Sequence, residues 1–460
     1  MKAMFALLAL ALASGCASQK ASVLNMNSME LKSSDRGQIE GLESRAAPPD
    51  EFGVRDVNIV FFHGMGWTQK ESTLAKEFIK GLARHYGDGN LSTQEEDLCS
   101  ADGGVLIRLS NDQGIGKLQY STDLRSSILT VDEIGCMDQR SYTTSAGIRY
   151  NVYRLFWDDY IWEALQGPHV GYDDDVFRKT DPPNERVGES RKKFNKDYKD
   201  TILNYGLTDV AVYLSPAGDL IRKAVRTSIC LAAGDSAGQR LEERGSGARS
   251  QSDKARVVIL DKDNICEQSI RVENAASFAF ASESFGSRVL FDVLRAEMRN
   301  EKTTAIDQIL NQSPEIYMLG NQVPLLGLGQ LAEYDRSAET NVALNARTSL
   351  PKIVVLSELN DILTYEIVPY LEYLWMRGQA DRTHQDLNKP EIRDSIAREF
   401  GFEVVDLRLR FAPPFLGVIG NFLGIADTAH AHTRHAEKPR IMKMLVCGNR
   451  TSEAGEPRDC

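Results

Sequence analysis

The segment that most restricts the fold is AASFAFASESFGSRVLFDVLRAEMRNEK, residues 275–302, where a short apolar strand, a turn of small residues and an amphipathic helix follow one another. Ser277 to Ala281 read as strand, and Val289, Leu290, Val293 and Leu294 line one side of the helix beyond. In the turn between them, Ser284 has Ser282 two positions before it and Gly286 two positions after it. When a strand and a helix converge through so tight a turn, only small residues fit at those flanking positions. The central residue is then forced into a strained backbone conformation that presents its side chain. A serine held this way is a candidate nucleophile. The plainer alternative is a Ser-rich helix start, with Ser282 or Ser284 bonding a free backbone N–H.

Other segments continue the alternation of strand and helix. An apolar strand, Val57 to Phe62, runs into a His-Gly-x-Gly turn, and Thr73 is placed to cap a helix from Leu74 to Tyr86. A second strand starts at Arg149 in RYNVYRLFWDD. The strand in KIVVLSELNDILTY puts Asp361 just past its carboxyl end, where an acid can hold a histidine ring. Asp361 can equally be read as the N-cap of a helix starting near Leu363. After another strand, Glu403 to Phe411, the loop IADTAHAHTRHAEKPRI carries His430, His432 and His435 before a final helix, Pro439 to Cys447. Strands separated by helices predict an α/β fold with a mostly parallel central sheet flanked by helices. Residues 90–147 are short alternating segments that read as inserted hairpins, and 170–200 as a charged surface loop. Asp173 to Asp175 lie in that loop without spaced cation ligands behind them, so they read as solvated.

Taken together, FFHGMGW, SESFGSR, SELNDILTY and AHAHTRH resemble the α/β-hydrolases of the lipase and esterase type, over roughly residues 53–450 less the insertions. The usual G-x-S-x-G is here S-x-S-x-G, and the order Ser, Asp, His is the family's. The resemblance implies Ser284 as nucleophile, Asp361 as orienting acid and His432 as base, with His430 and His435 as the other candidates for that base. It also implies an oxyanion hole from the backbone N–H groups of Gly64, Met65 and Phe285, with His63 structural. No cofactor is implied. The histidine trio lacks a carboxylate or cysteine at tetrahedral spacing, so no metal site is expected. The expected activity is hydrolysis of a carboxylic ester. Transfer of the acyl group through the same triad is one alternative, and a catalytically degenerate envelope binding or assembly protein is another.

The first residues, MKAMFALLALALASGCASQK, place Lys2, an apolar run from Ala3 to Ala13 and the pair Ser14-Gly15 ahead of Cys16. The run is shorter than the roughly 20 residues of a membrane span. It resembles a bacterial lipoprotein signal, which predicts removal of residues 1–15, lipidation at Cys16 and a membrane-anchored protein of the cell envelope, on the outer membrane if the host is Gram-negative. Ser-rich residues 16–52 read as a flexible tether and residues 451–460 as a tail. Cys99, Cys136, Cys230, Cys266, Cys447 and Cys460 remain, an even number in an exported chain. Sequence does not choose their connectivity; neighbours in sequence (Cys99 with Cys136, Cys230 with Cys266, Cys447 with Cys460) are preferred over free thiols. A net charge of −11 disfavours nucleic acid as a partner. Two apolar stretches, Met318 to Leu331 and Phe411 to Ala426, could line an acyl pocket or pack as core. With the anchor, they point to a lipid or other hydrophobic ester as substrate.

Overall fold

A computed structural model describes residues 24–25, 38–64, 73–88, 105–108, 133–157, 208–215, 218–236, 256–259, 265–267, 271–272, 274–300, 303–327, 349–358, 361–378, 382, 385–387, 389–409, 432 and 434–449. The first part runs β1 (Leu24–Asn25), β2 (Arg55–Phe62), α1 (Thr73–His85), β3 (Val105–Arg108), β4 (Glu133–Thr143) and β5 (Ile148–Phe156). Next come α2 (Thr208–Tyr213), α3 (Gly218–Ser236), β6 (Arg256–Ile259), β7 (Phe278–Glu283), α4 (Phe285–Met298) and α5 (Ala305–Leu310). The chain then forms β8 (Glu315–Leu319), α6 (Val323–Gly327), β9 (Lys352–Glu358), α7 (Val368–Gly378), α8 (Pro390–Phe400), β10 (Glu403–Leu409) and α9 (Pro439–Cys447).

The strands form one sheet in the order β1-β10-β9-β8-β7-β2-β5-β4-β3-β6. From β10 to β5 all neighbours are parallel. Parallel strands are covered on both faces, which is why they read as nearly unbroken apolar runs. In β2, Val57, Ile59 and Phe61 join one buried cluster with Phe78, Leu82 and the α9 residues Ile441, Met442 and Leu445. Val60 and Phe62, pointing the other way, join a second cluster with Ile221 and Val225 of α3 and Val289, Leu290 and Val293 of α4. The result is a mostly parallel α/β sheet with helices on both faces, as expected.

Two regions differ from the sequence reading. The described parts of the supposed hairpin insertion belong to the main sheet: β4 pairs antiparallel with β5, and β3 with β4. Asp138 stands opposite Arg154 in that register, and the two buried side chains form an ion pair that would be left uncompensated by a one-residue slip. Residues 38–47, placed in the tether, instead pack under the sheet. Ile39 and Leu42 are fully buried, and Ile39 exchanges bonds with Asn449 beyond α9, through its N–H (2.7 Å) and its carbonyl (3.1 Å). Apolar side chains spaced three apart in a polar stretch are too few for a periodicity signal, yet they suffice to dock a strap.

Cys230 of α3 is joined to Cys266, the neighbour pairing preferred above. Cys136 and Cys447 are also disulfide-bonded, to partners outside the described residues. Cys16, Met65, His430, the excursion at 170–200 and the apolar stretch at 411–426 lie outside the described residues as well. Of the other apolar stretch, Val323 and Leu326 pack as core with α4 and α7. Among the described residues, no helix is long and apolar enough to cross a membrane.

Candidate active site

Four strands deliver the site at their carboxyl ends: β2 leads into His63-Gly64, β7 into Ser284, β8 into Gly320-Asn321, and β9 into Asp361. Ser284 sits between β7 and α4 with φ 53° and ψ −125°, a combination that strains any residue with a side chain by about 1–3 kcal/mol. This strained turn is what the small flanking residues predicted, and Ser284 makes no side-chain cap to α4. Its N–H donates to the Leu319 carbonyl (2.9 Å), which pins the turn to β8. Ser282 stands two positions before Ser284 at the strand end of the turn. Its hydroxyl turns into the core, donating to Ser287 Oγ (3.1 Å), so the extra atoms are accommodated without unsatisfied polarity. A Cβ on Gly286 would fall 2.4 Å from the His63 carbonyl oxygen, so the α4 end of the turn admits no side chain.

The three residues chosen from sequence meet. His432 Nε2 lies 2.7 Å from Ser284 Oγ, and His432 Nδ1 lies 2.6 Å from Asp361 Oδ2. A carboxylate only accepts, so Nδ1 carries the ring proton. Nε2 is therefore left as acceptor for the serine hydroxyl. The Asp361 side chain is almost wholly buried. Burial alone pushes its carboxyl up. The hydrogen bond from His432 and the charge of that ring, with bonds from the Thr364 hydroxyl and the Leu363 N–H, more than offset this and hold it below the usual range. Asp361 does not cap a helix near Leu363. It closes a turn onto Leu363 N–H (2.9 Å) and Thr364, and α7 starts only at Val368.

His435 is buried, and its ring is pushed down to about 3, by burial first and then by neighbouring His432, so it stays neutral. It hydrogen-bonds the His432 backbone, and His432 is the ring that meets Ser284. His63 is also buried and pushed down to about 4, chiefly by burial. It stacks on Trp157 (ring centroids 4.4 Å apart), and its Nδ1–H donates to the Gly64 carbonyl (2.7 Å). This fixes the turn that crosses Ser284: a Cβ on Gly64 would be 2.8 Å from Ser284 Cβ and 3.2 Å from Oγ. Phe285 occupies the first position of α4, where a backbone N–H has no intrahelical carbonyl and the helix dipole favours negative charge. Both described candidates for the oxyanion hole thus flank Ser284.

Sequence reasoning overlooked three supporting residues. Thr364 bonds Asp361, a role detectable as an Asp followed three positions later by a hydroxyl residue. Asn321 ties β8 to the acid loop: its side-chain N–H donates to the Tyr365 carbonyl, and the Tyr365 N–H donates to the Asn321 carbonyl (3.2 Å). Glu283, immediately before Ser284, is buried, and its Oε1 has no hydrogen-bond partner among the described residues. Burial, then the charge of Asp361, raise its carboxyl well above the usual range. Among the described residues no cluster of His, Cys, Asp and Glu is arranged to hold a metal ion. Comparisons with protein-family models, curated proteins and solved structures found no match to this chain.

Proposed function

We propose that the protein is a serine hydrolase of α/β-hydrolase type that cleaves a carboxylic ester, anchored to the envelope membrane through Cys16. The observation that carries this reading is the unbroken relay from Ser284 Oγ through His432 to Asp361, started by a strained elbow residue. Strain of this kind persists only where surrounding structure over-determines it, and it concentrates at functional sites. A helix cap would need neither the unusual backbone nor the histidine.

In the reaction His432 Nε2 takes the hydroxyl proton as Ser284 Oγ bonds to the acyl carbon. The carbonyl π electrons move to its oxygen, which accepts from Phe285 N–H and from the turn at Gly64. The tetrahedral species collapses as His432 returns the proton to the departing alkoxide, giving an alcohol and an acyl-enzyme. Water then repeats both steps and frees the acid. Asp361 holds the ring tautomer and stabilises the imidazolium without accepting its proton. A hydrophobic acyl group is favoured by the expected anchor and by the apolar sequence at 411–426.

The test is a series of p-nitrophenyl esters of increasing acyl length. Turnover that rises with chain length and vanishes in Ser284→Ala supports the reading. Absence of turnover across the series would remove it.

A further inference from the structure

We infer that the catalytic edge of the sheet faces the lipid surface that holds Cys16, with Ile362 and Tyr365 as its contact points, so that the ester is drawn from that same bilayer. This rests on the anchored-hydrolase reading above and adds to it an orientation and a source of substrate.

The first observation is the edge strand. β1 runs antiparallel to β10, with Leu24 opposite Arg408 and Asn25 opposite Leu407. Because β10 is parallel to β9 and ends beside it at the carboxyl edge, the antiparallel β1 begins at that edge. Arg408 also forms an ion pair with Glu366, the residue after Tyr365. Leu24 is thus one strand spacing from a side chain bonded to the acid loop. Eight positions separate Cys16 from Leu24, and eight extended residues span at most about 28 Å. The chain toward Cys16 therefore leaves the sheet at its carboxyl edge, beside the acid loop, and this exit places the surface holding an acyl group on the side of the triad.

The second observation is what the catalytic edge presents there. Ile362 is 66% exposed and Tyr365 44% exposed, one and four positions after Asp361. They are not on a loose loop. Asp361 binds Leu363 and Thr364, Asn321 holds Tyr365 from both sides, and the Asp406 carboxylate accepts from Ile367 N–H (3.1 Å) and Val368 N–H (2.8 Å). The loop is fixed with its two apolar side chains outward, and the adjoining charge of Glu366 is neutralised by Arg408. Phe52, just before β2, is 82% exposed at the opposite edge. Exposure alone does not choose between the two edges; the edge at which the chain to Cys16 leaves the sheet does.

The test uses the full lipidated protein in vesicles of phosphatidylethanolamine and phosphatidylglycerol, with and without brominated phosphatidylcholine, and three variants: Ile362→Trp, Tyr365→Trp and Phe52→Trp. After subtraction of the parent emission, brominated lipid should quench the tryptophans at 362 and 365 by more than half and leave that at 52 unchanged. Quenching at 52 alone, or no quenching at 362 and 365 in vesicle-bound protein, would overturn the orientation. So would a contact at 362 that photo-crosslinks to a second protein and not to lipid. Failure to bind vesicles would remove the anchor itself. Serine labelling in the same samples reports the hydrolase reading separately, because it needs no membrane.

Discussion

Two buried glutamates at opposite ends of neighbouring strands have opposite surroundings. Glu315 opens β8 at the amino edge, and its carboxylate accepts from Glu40 N–H (2.5 Å), Gly41 N–H (3.0 Å) and the Tyr317 hydroxyl. Glu283 closes β7 at the carboxyl edge, and its Oε1 accepts nothing among the described residues. Around Glu315 the carboxylate is matched, and it ties the N-terminal strap to β8. At the carboxyl edge the chain tolerates a strained Ser284 and an unmatched acid. The contrast lies between these two acids: one is hydrogen-bonded on both oxygens, and the other stands beside a strained serine with an oxygen left unpartnered, the arrangement expected where stability is exchanged for function.

The sharpest way to break this contrast is to remove the reactive groups. Ser284→Ala or His432→Ala should lower kcat for an ester by about 10⁴-fold or more, since members of such a relay act as a unit. If the edge is strained for function, Ser284→Gly should abolish turnover yet raise stability by about 1 kcal/mol in urea titration, because glycine adopts this backbone without cost. A drop in stability would sink the strain argument.

Next in size is the amino edge. Glu315→Ala strips the acceptor from two backbone N–H groups and a tyrosine, and should cost about 3 kcal/mol in the same titration while leaving turnover per folded molecule unchanged. A loss of turnover would mean that the two edges are coupled.

Smaller effects follow from titration. Glu283 has a raised carboxyl, so between its ordinary range near 4.5 and its folded value the native state holds a proton that the unfolded state releases. Stability contributed by this group therefore falls as pH rises through that window. Glu283→Gln should flatten the stability profile at pH above 4.5. The buried histidines act in the opposite direction. His63 and His435 are pushed down from 6.5 to about 4 and about 3, so the unfolded state binds protons first and stability is lost as pH falls below 6.5. Replacing His63 by Gln should lessen that acid loss, measured by thermal melting across the range.

Much of the site was legible because it is local. The elbow needs only five residues, and the steric demand for small neighbours at Ser282 and Gly286 survives the exchange of glycine for serine. Asp361 could be located by its place after a strand, and His432 by its loop before the last helix. What sequence hid is non-local. The strap at 38–47 depends on Glu315 and Asn449, hundreds of positions away. The placement of β4 depends on pairing with β5, and nothing in its alternation distinguishes a separate hairpin from a continuation of the main sheet. Glu283 looks like any residue beside a serine until its burial, which raises its carboxyl, is seen.

The central claim is that Ser284 is an activated nucleophile. It is tested most directly by exposing the folded protein to a fluorophosphonate and reading the adduct by mass spectrometry. The account predicts a single adduct on Ser284 that is absent in Ser284→Ala and sharply reduced in His432→Ala and Asp361→Asn. Folded protein that stays unlabelled, or labelling at another serine that survives these substitutions, would contradict it.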